Sequence, residues 1–104
     1  MLFRSTAKRS SALPDVPTIA EAGMPGYEVS GWYGVIGPAG IPQPIVARLN
    51  KEINAILQSP ETRAQLINGG SEPRTGTPEE FGAAMATDLQ KWAKVVAATG
   101  IKIN

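Results

Sequence analysis

Residues 27–38 read Y-E-V-S-G-W-Y-G-V-I-G-P, and this stretch decides the fold class. Aromatic and β-branched residues dominate it, and Gly and Pro bound it, which predicts a strand. Tyr27, Val29, Tyr33 and Val35 fall on one parity, Trp32 and Ile36 on the other. Both faces therefore carry large apolar groups, the pattern of a strand covered on both sides. Gly31 and Gly34 interrupt it, and a glycine inside a strand marks a bulge or a close backbone approach. No other segment matches it. Residues 2–7 (L-F-R-S-T-A) and the terminal Ile101 and Ile103 offer at most short strands. A lone strand cannot make a sheet, so its partners are expected elsewhere, in a larger protein or in another copy.

Upstream, residues 9–27 read R-S-S-A-L-P-D-V-P-T-I-A-E-A-G-M-P-G-Y. Pro14 and Pro17 keep the approach extended, because the residue before a proline is pushed out of the α region. Thr18 and Glu21 have capping-box spacing, and Gly23 is placed to close one helical turn over 18–22. Such a helix N-terminus can receive an anion through its N–H groups; equally, the box can do no more than cap.

Downstream the signals are helical. Ile45, Val46, Leu49, Ile53, Ile56 and Leu57 form one apolar stripe over 43–58, with Arg48, Asn50, Lys51, Glu52 and Asn54 on the wet side. Ser59-Pro60-Glu61 supplies an N-cap, a first-turn proline and a carboxylate at the positive dipole end. The helix it opens runs to about Asn68, and Gly69-Gly70 stops it. Thr77-Pro78-Glu79-Glu80 is a second capping box. After it, Phe81, Met85, Leu89, Trp92 and Val96 recur at helical spacing up to a stop at Gly100.

Composition narrows the function. The chain has 104 residues, ten basic and nine acidic, with 42% hydrophobic residues, a globular balance. Basic residues gather only loosely at Arg4, Lys8 and Arg9, short of the clustered footprint that nucleic-acid binding needs. There is no Cys and no His, so disulfides, the usual zinc ligands and the commonest general base are missing. Asp15, Glu21, Glu79 and Glu80 form no catalytic pair; three of them sit at caps or helix starts, where the dipole accounts for them. These features argue against an enzyme and imply no cofactor or metal. No apolar run approaches the roughly 18 residues of a membrane helix, and M-L-F-R-S-T-A-K-R lacks the apolar core of a secretory signal. As it stands, the chain would remain in the cytoplasm.

The motifs K-R-S-S-A-L-P-D-V-P-T-I-A-E-A-G, P-G-Y-E, G-W-Y-G-V-I-G-P-A-G-I-P, I-V-A-R-L-N-K-E-I, S-P-E, G-G-S-E-P, T-P-E-E-F and W-A-K-V-V-A-A-T-G-I-K follow one another from Lys8 onward. In this order the chain closely resembles the C-terminal third of the Bug-type receptors of tripartite tricarboxylate transporters. The resemblance implies an α/β fold: a fragment of a two-lobed, type II periplasmic-binding-protein architecture, helix-rich, with one main strand and one or two short ones. It implies that residues 1–28 are a remnant of the second lobe and the approach to the hinge. Residues 29–104 would be the C-terminal part of the first lobe, with the 29–37 strand crossing between the two. It further implies a periplasmic receptor that closes on a small organic carboxylate and delivers it to permease subunits. Relatives carry a smooth apolar strand before Lys8, whereas Arg4 interrupts the corresponding segment here.

On this layout, Ser30, Gly31, Trp32 and Tyr33 pass the hinge and are candidates for lining the cleft, with Thr18 as a further candidate. Trp32 and Tyr33 can equally be core aromatics, given the area such side chains bury. Trp92 lies on the apolar stripe and is expected in the core, and Arg74 reads as a solvated surface cation. The alternative to a receptor fragment is a truncated product that acts only as a self-associating structural module. For either, exposed strand edges predict a homo-oligomer of the isolated chain.

Overall fold

The Ser59 and Thr77 caps and the proline-led start at Gln43 all become helices. The computed structural model describes residues 2–102. In it α1 spans Gln43–Gln58, α2 Pro60–Asn68 and α3 Pro78–Thr99. Ser59 Oγ accepts from the Thr62 N–H at 3.3 Å and so turns the end of α1 into the start of α2. Thr77 Oγ1 accepts from the Glu80 N–H at 3.1 Å, while the Glu80 carboxylate accepts from the Thr77 N–H at 2.9 Å. These reciprocal bonds satisfy two donors that a helix start otherwise leaves unpaired. Gly100 ends α3 with a left-handed φ of 66°, the conformation that glycine adopts without a Cβ penalty.

The expected strand does not form. Residues 29–38 run extended, but they take part in no strand among the described residues. Their β-forming composition remains; what is missing is a neighbour, since a strand exists only through a ladder to another. The strand expected over 2–7 reduces to a single parallel bridge between Arg4 and Thr18. There Arg4 N–H donates to the Pro17 carbonyl at 2.9 Å, and Ile19 N–H donates to the Arg4 carbonyl at 2.8 Å. Ile101 is not in a strand, and Ile103, the other half of the expected terminal clasp, lies outside the described residues.

The segment 18–22 makes one hydrogen-bonded turn, Ala22 N–H to the Thr18 carbonyl at 3.0 Å, and no helix. Its capping box forms nonetheless: Glu21 N–H donates to Thr18 Oγ1 at 3.1 Å, and Thr18 N–H to the Glu21 carboxylate at 2.8 Å. Gly23, with φ of 132°, lets Met24 N–H reach back to the Ile19 carbonyl at 3.2 Å.

No hydrophobic side chain is buried among the described residues; the buried side chains there are Ser10 and Thr18. The chain exposes 8541 Å², whereas a compact monomer of 10.9 kDa exposes about 5600 Å². Its radius of gyration is 16.7 Å, against about 13 Å for a compact domain of this length. The stripes on α1 and α3 are therefore present but largely uncovered. Leu49 is 50% exposed, Leu89 76% and Trp92 42%, so Trp92 is not the core residue that its spacing predicts.

Polar ties hold the loops instead. Asn50 and Asn54, expected on the wet side of α1, both donate to the Gly76 carbonyl at 2.9 Å. Asn54 Oδ1 also accepts from the Gly76 N–H at 3.3 Å. This clasp anchors the segment leading into α3 on α1. At the other end, Glu72 accepts from the Ser11 N–H at 3.0 Å and from Ser11 Oγ at 2.6 Å, tying the elbow to the α2–α3 connection.

Candidate functional site

The elbow and the extended segment that follows it carry the candidate residues, and two sets of bonds shape them. Arg9 Nε donates to both Glu21 oxygens, at 3.2 and 3.0 Å, and Arg9 Nη1 to the Pro14 carbonyl at 3.1 Å. The Thr18 N–H first, and then the Arg9 guanidinium, hold the Glu21 carboxyl below its ordinary value. Thr18 itself is 1% exposed. Its N–H and its hydroxyl oxygen are both engaged by Glu21, so its polar groups shape the elbow.

The chain leaves the elbow at Val29, whose N–H donates to the Ser5 carbonyl at 2.8 Å. Beyond it, residues 30–38 make no backbone–backbone hydrogen bond among the described residues. Ser30, Gly31 and Tyr33 are exposed, Tyr33 at 96%. The segment thus presents a hydroxyl, a phenol and a run of peptide N–H groups, donors that a carboxylate accepts from.

Trp32 separates from its neighbours. Its indole N–H donates to Asp88 Oδ2 at 2.9 Å. Its ring meets Phe81 edge to face, with centroids 5.4 Å apart and planes at 89°. Lys91 Nζ donates to the Glu28 carbonyl. A Cβ on Gly34 would lie 2.2 Å from Phe81 Cζ, whereas Gly31 has nothing within 4 Å. The close approach expected of a glycine here therefore belongs to Gly34, and it is to a side chain of α3.

Sequence reasoning missed Phe81, Asp88 and Lys91 as partners of this segment. One signal was available: Asp88 sits beside Leu89 on the stripe of Phe81, Met85 and Trp92, where a carboxylate is out of place without a donor to meet it. Arg74 faces, with Tyr33, Leu49, Ile53 and Phe81, a groove between α1, α3 and the extended segment. No group of His, Cys, Asp or Glu among the described residues is arranged to hold a metal ion.

Comparison with known proteins places this geometry. The tripartite tricarboxylate transporter family receptor matches over residues 1–101. Protein BugT of Bordetella pertussis is 37% identical over 99 residues, covering 95% of this chain and 30% of that protein. A protein from the tcbD-tcbE intergenic region of Pseudomonas sp. strain P51 is 38% identical over 97 residues, covering 92% of this chain and 29% of its own length. Among solved structures, R. palustris Rpa4515 with adipate superposes with a TM-score of 0.81 at 40% identity, over 93% of this chain and 32% of that one. The periplasmic binding protein BugD gives 0.78 at 32% identity, over 94% and 33%. The chain thus spans about three tenths of the length of these relatives. With the match running from the elbow through α3, it belongs to the tripartite tricarboxylate transporter receptor family.

Proposed function

We propose that this chain is the C-terminal third of a two-lobed periplasmic solute receptor whose full-length form binds a small organic carboxylate. Such a receptor hands its ligand to membrane permease subunits and carries out no chemistry on it. The observation that carries this reading is the superposition, over nearly the whole chain, on a relative that holds adipate. The uncovered stripes of α1 and α3 support it, since their large apolar area awaits a covering layer. In this reading residues 1–28 close the second lobe, and residues 29–104 complete the first. Ser30, Gly31, Trp32 and Tyr33 contribute to the cleft at the crossing, where the chain leaves the elbow. Thr18 fixes the elbow's geometry from inside.

A carboxylate is retained only when donors meet it in a site shielded from water. The chain supplies one side of such a site, so alone it is expected to give no micromolar binding in calorimetric titrations with adipate, citrate or glutamate. Replacing the matched third of the adipate-holding relative with this chain is expected to restore binding of a carboxylate. Micromolar binding by the isolated chain would refute the two-sided cleft. A second reading, a self-associating module without a ligand, draws on the same exposed surface and is tested by the mass of the isolated chain in solution.

A further inference from the structure

Residues 30–38 lack a backbone ladder among the described residues, so side chains set their path. We infer that Asp88 and Lys91, with Phe81, are positioning residues of α3 that hold segment 28–34 and thereby aim Tyr33 outward; this rests on the reading of Ser30–Tyr33 as part of the cleft. The contacts run in opposite order along the segment and the helix. Glu28 meets Lys91, Trp32 meets Asp88, and Gly34 meets Phe81. The segment therefore lies antiparallel along the helix. Phe81 and Asp88, seven residues apart, share one face of α3, and Lys91 lies three further on.

Each grip has a different chemistry. The Lys91 ammonium meets the Glu28 carbonyl, the Asp88 carboxylate meets the only N–H of the indole, and the Phe81 ring meets the edge of Trp32 where Gly34 leaves room. Successive side chains of an extended segment point to opposite sides. Clamping Trp32 onto α3 therefore turns Tyr33 to the other side of the segment, where it is 96% exposed beside the groove that Arg74 also faces.

The test is the Trp32 indole N–H resonance of the whole chain in a ¹H–¹⁵N spectrum, assigned with Trp92→Phe. It is expected to be shifted and to exchange with solvent about tenfold more slowly than a free indole, the scale of one hydrogen bond to a charged acceptor. Asp88→Ala, which favours the helix, is expected to abolish that protection with helix content retained. Asp88→Asn keeps a neutral acceptor oxygen and is expected to preserve part of it. A free-indole position in the unaltered chain, protection unchanged in Asp88→Ala, or loss in both variants would overturn the assignment. The readout needs no ligand, so it decides this point whether or not the assembled receptor binds a carboxylate.

Discussion

Gly34→Ala tests the packing of the extended segment on α3 with a single methyl group. The added Cβ would stand 2.2, 2.8 and 2.9 Å from Phe81 Cζ, Cε2 and Cε1, where ordinary contact begins at 3.4 Å. The tip of the ring must therefore retreat by more than about 1 Å, an overpacking displacement. The Phe81 backbone cannot follow, because the Thr77–Glu80 capping box fixes the first turn of α3. The edge-to-face contact with Trp32 is lost instead. Overpacking of this kind costs about 1–3 kcal/mol, and the aromatic pair is worth about 0.5–1.5 kcal/mol. The two overlap, so we expect about 2 kcal/mol. The assay is thermal melting of the receptor assembled by replacing the matched third of the adipate-holding relative, where the drop corresponds to roughly 4–8 °C. Gly31→Ala is the control: Gly31 has open space around it and no positive φ, so its change is expected within about 0.5 kcal/mol. Equal melting temperatures for the two variants would refute the claim that segment 28–34 is packed against α3.

Three further outcomes rest on other contacts of the fold. Asn54→Ala orphans the Gly76 N–H, whereas Asn50→Ala leaves Gly76 still bonded through Asn54; the first is expected to cost about 1–3 kcal/mol and the second clearly less in the same melts. The Ser11 hydroxyl and then the Ser11 amide hold the Glu72 carboxyl below its ordinary 4.5, so the tie between elbow and connection is fully present above pH 4.5 and is lost as pH falls through the lowered value of the docked form. The Ser11 amide resonance is accordingly expected to move only below pH 4.5, and Glu72→Gln to remove that movement; a transition above this pH would contradict the assignment. The isolated chain is expected to self-associate through its uncovered stripes, giving a light-scattering mass above 10.9 kDa at micromolar concentration, and a clean monomer would count against this.

The helices were legible in the sequence because their signals are local. Ser59, Thr77 and Gly100 act within four residues of themselves, so both caps and the left-handed stop could be read from spacing alone. The elbow's capping box was legible for the same reason, although one box holds one turn and not a helix. The 27–38 strand was not, because β-propensity describes a side chain's fit to a half-buried pleated surface, and no strand among the described residues pairs with it. Trp92 shows the same limit: its spacing identifies the face but not what covers it. Asn50 and Asn54 were misplaced because amides on a helix look solvated until the backbone they grip, Gly76, is brought to them from more than twenty residues away. The grip of Asp88 on Trp32 joins residues 56 apart, and only the fold brings them together.

Calorimetric titration of small di- and tricarboxylates into the assembled receptor, with this chain in place of the matched third, bears most directly on the central claim. A folded protein that binds at least one of these acids with micromolar or tighter affinity is expected, while the isolated chain shows none. A folded assembly with a cooperative melt that gives no heat with any acid would contradict it.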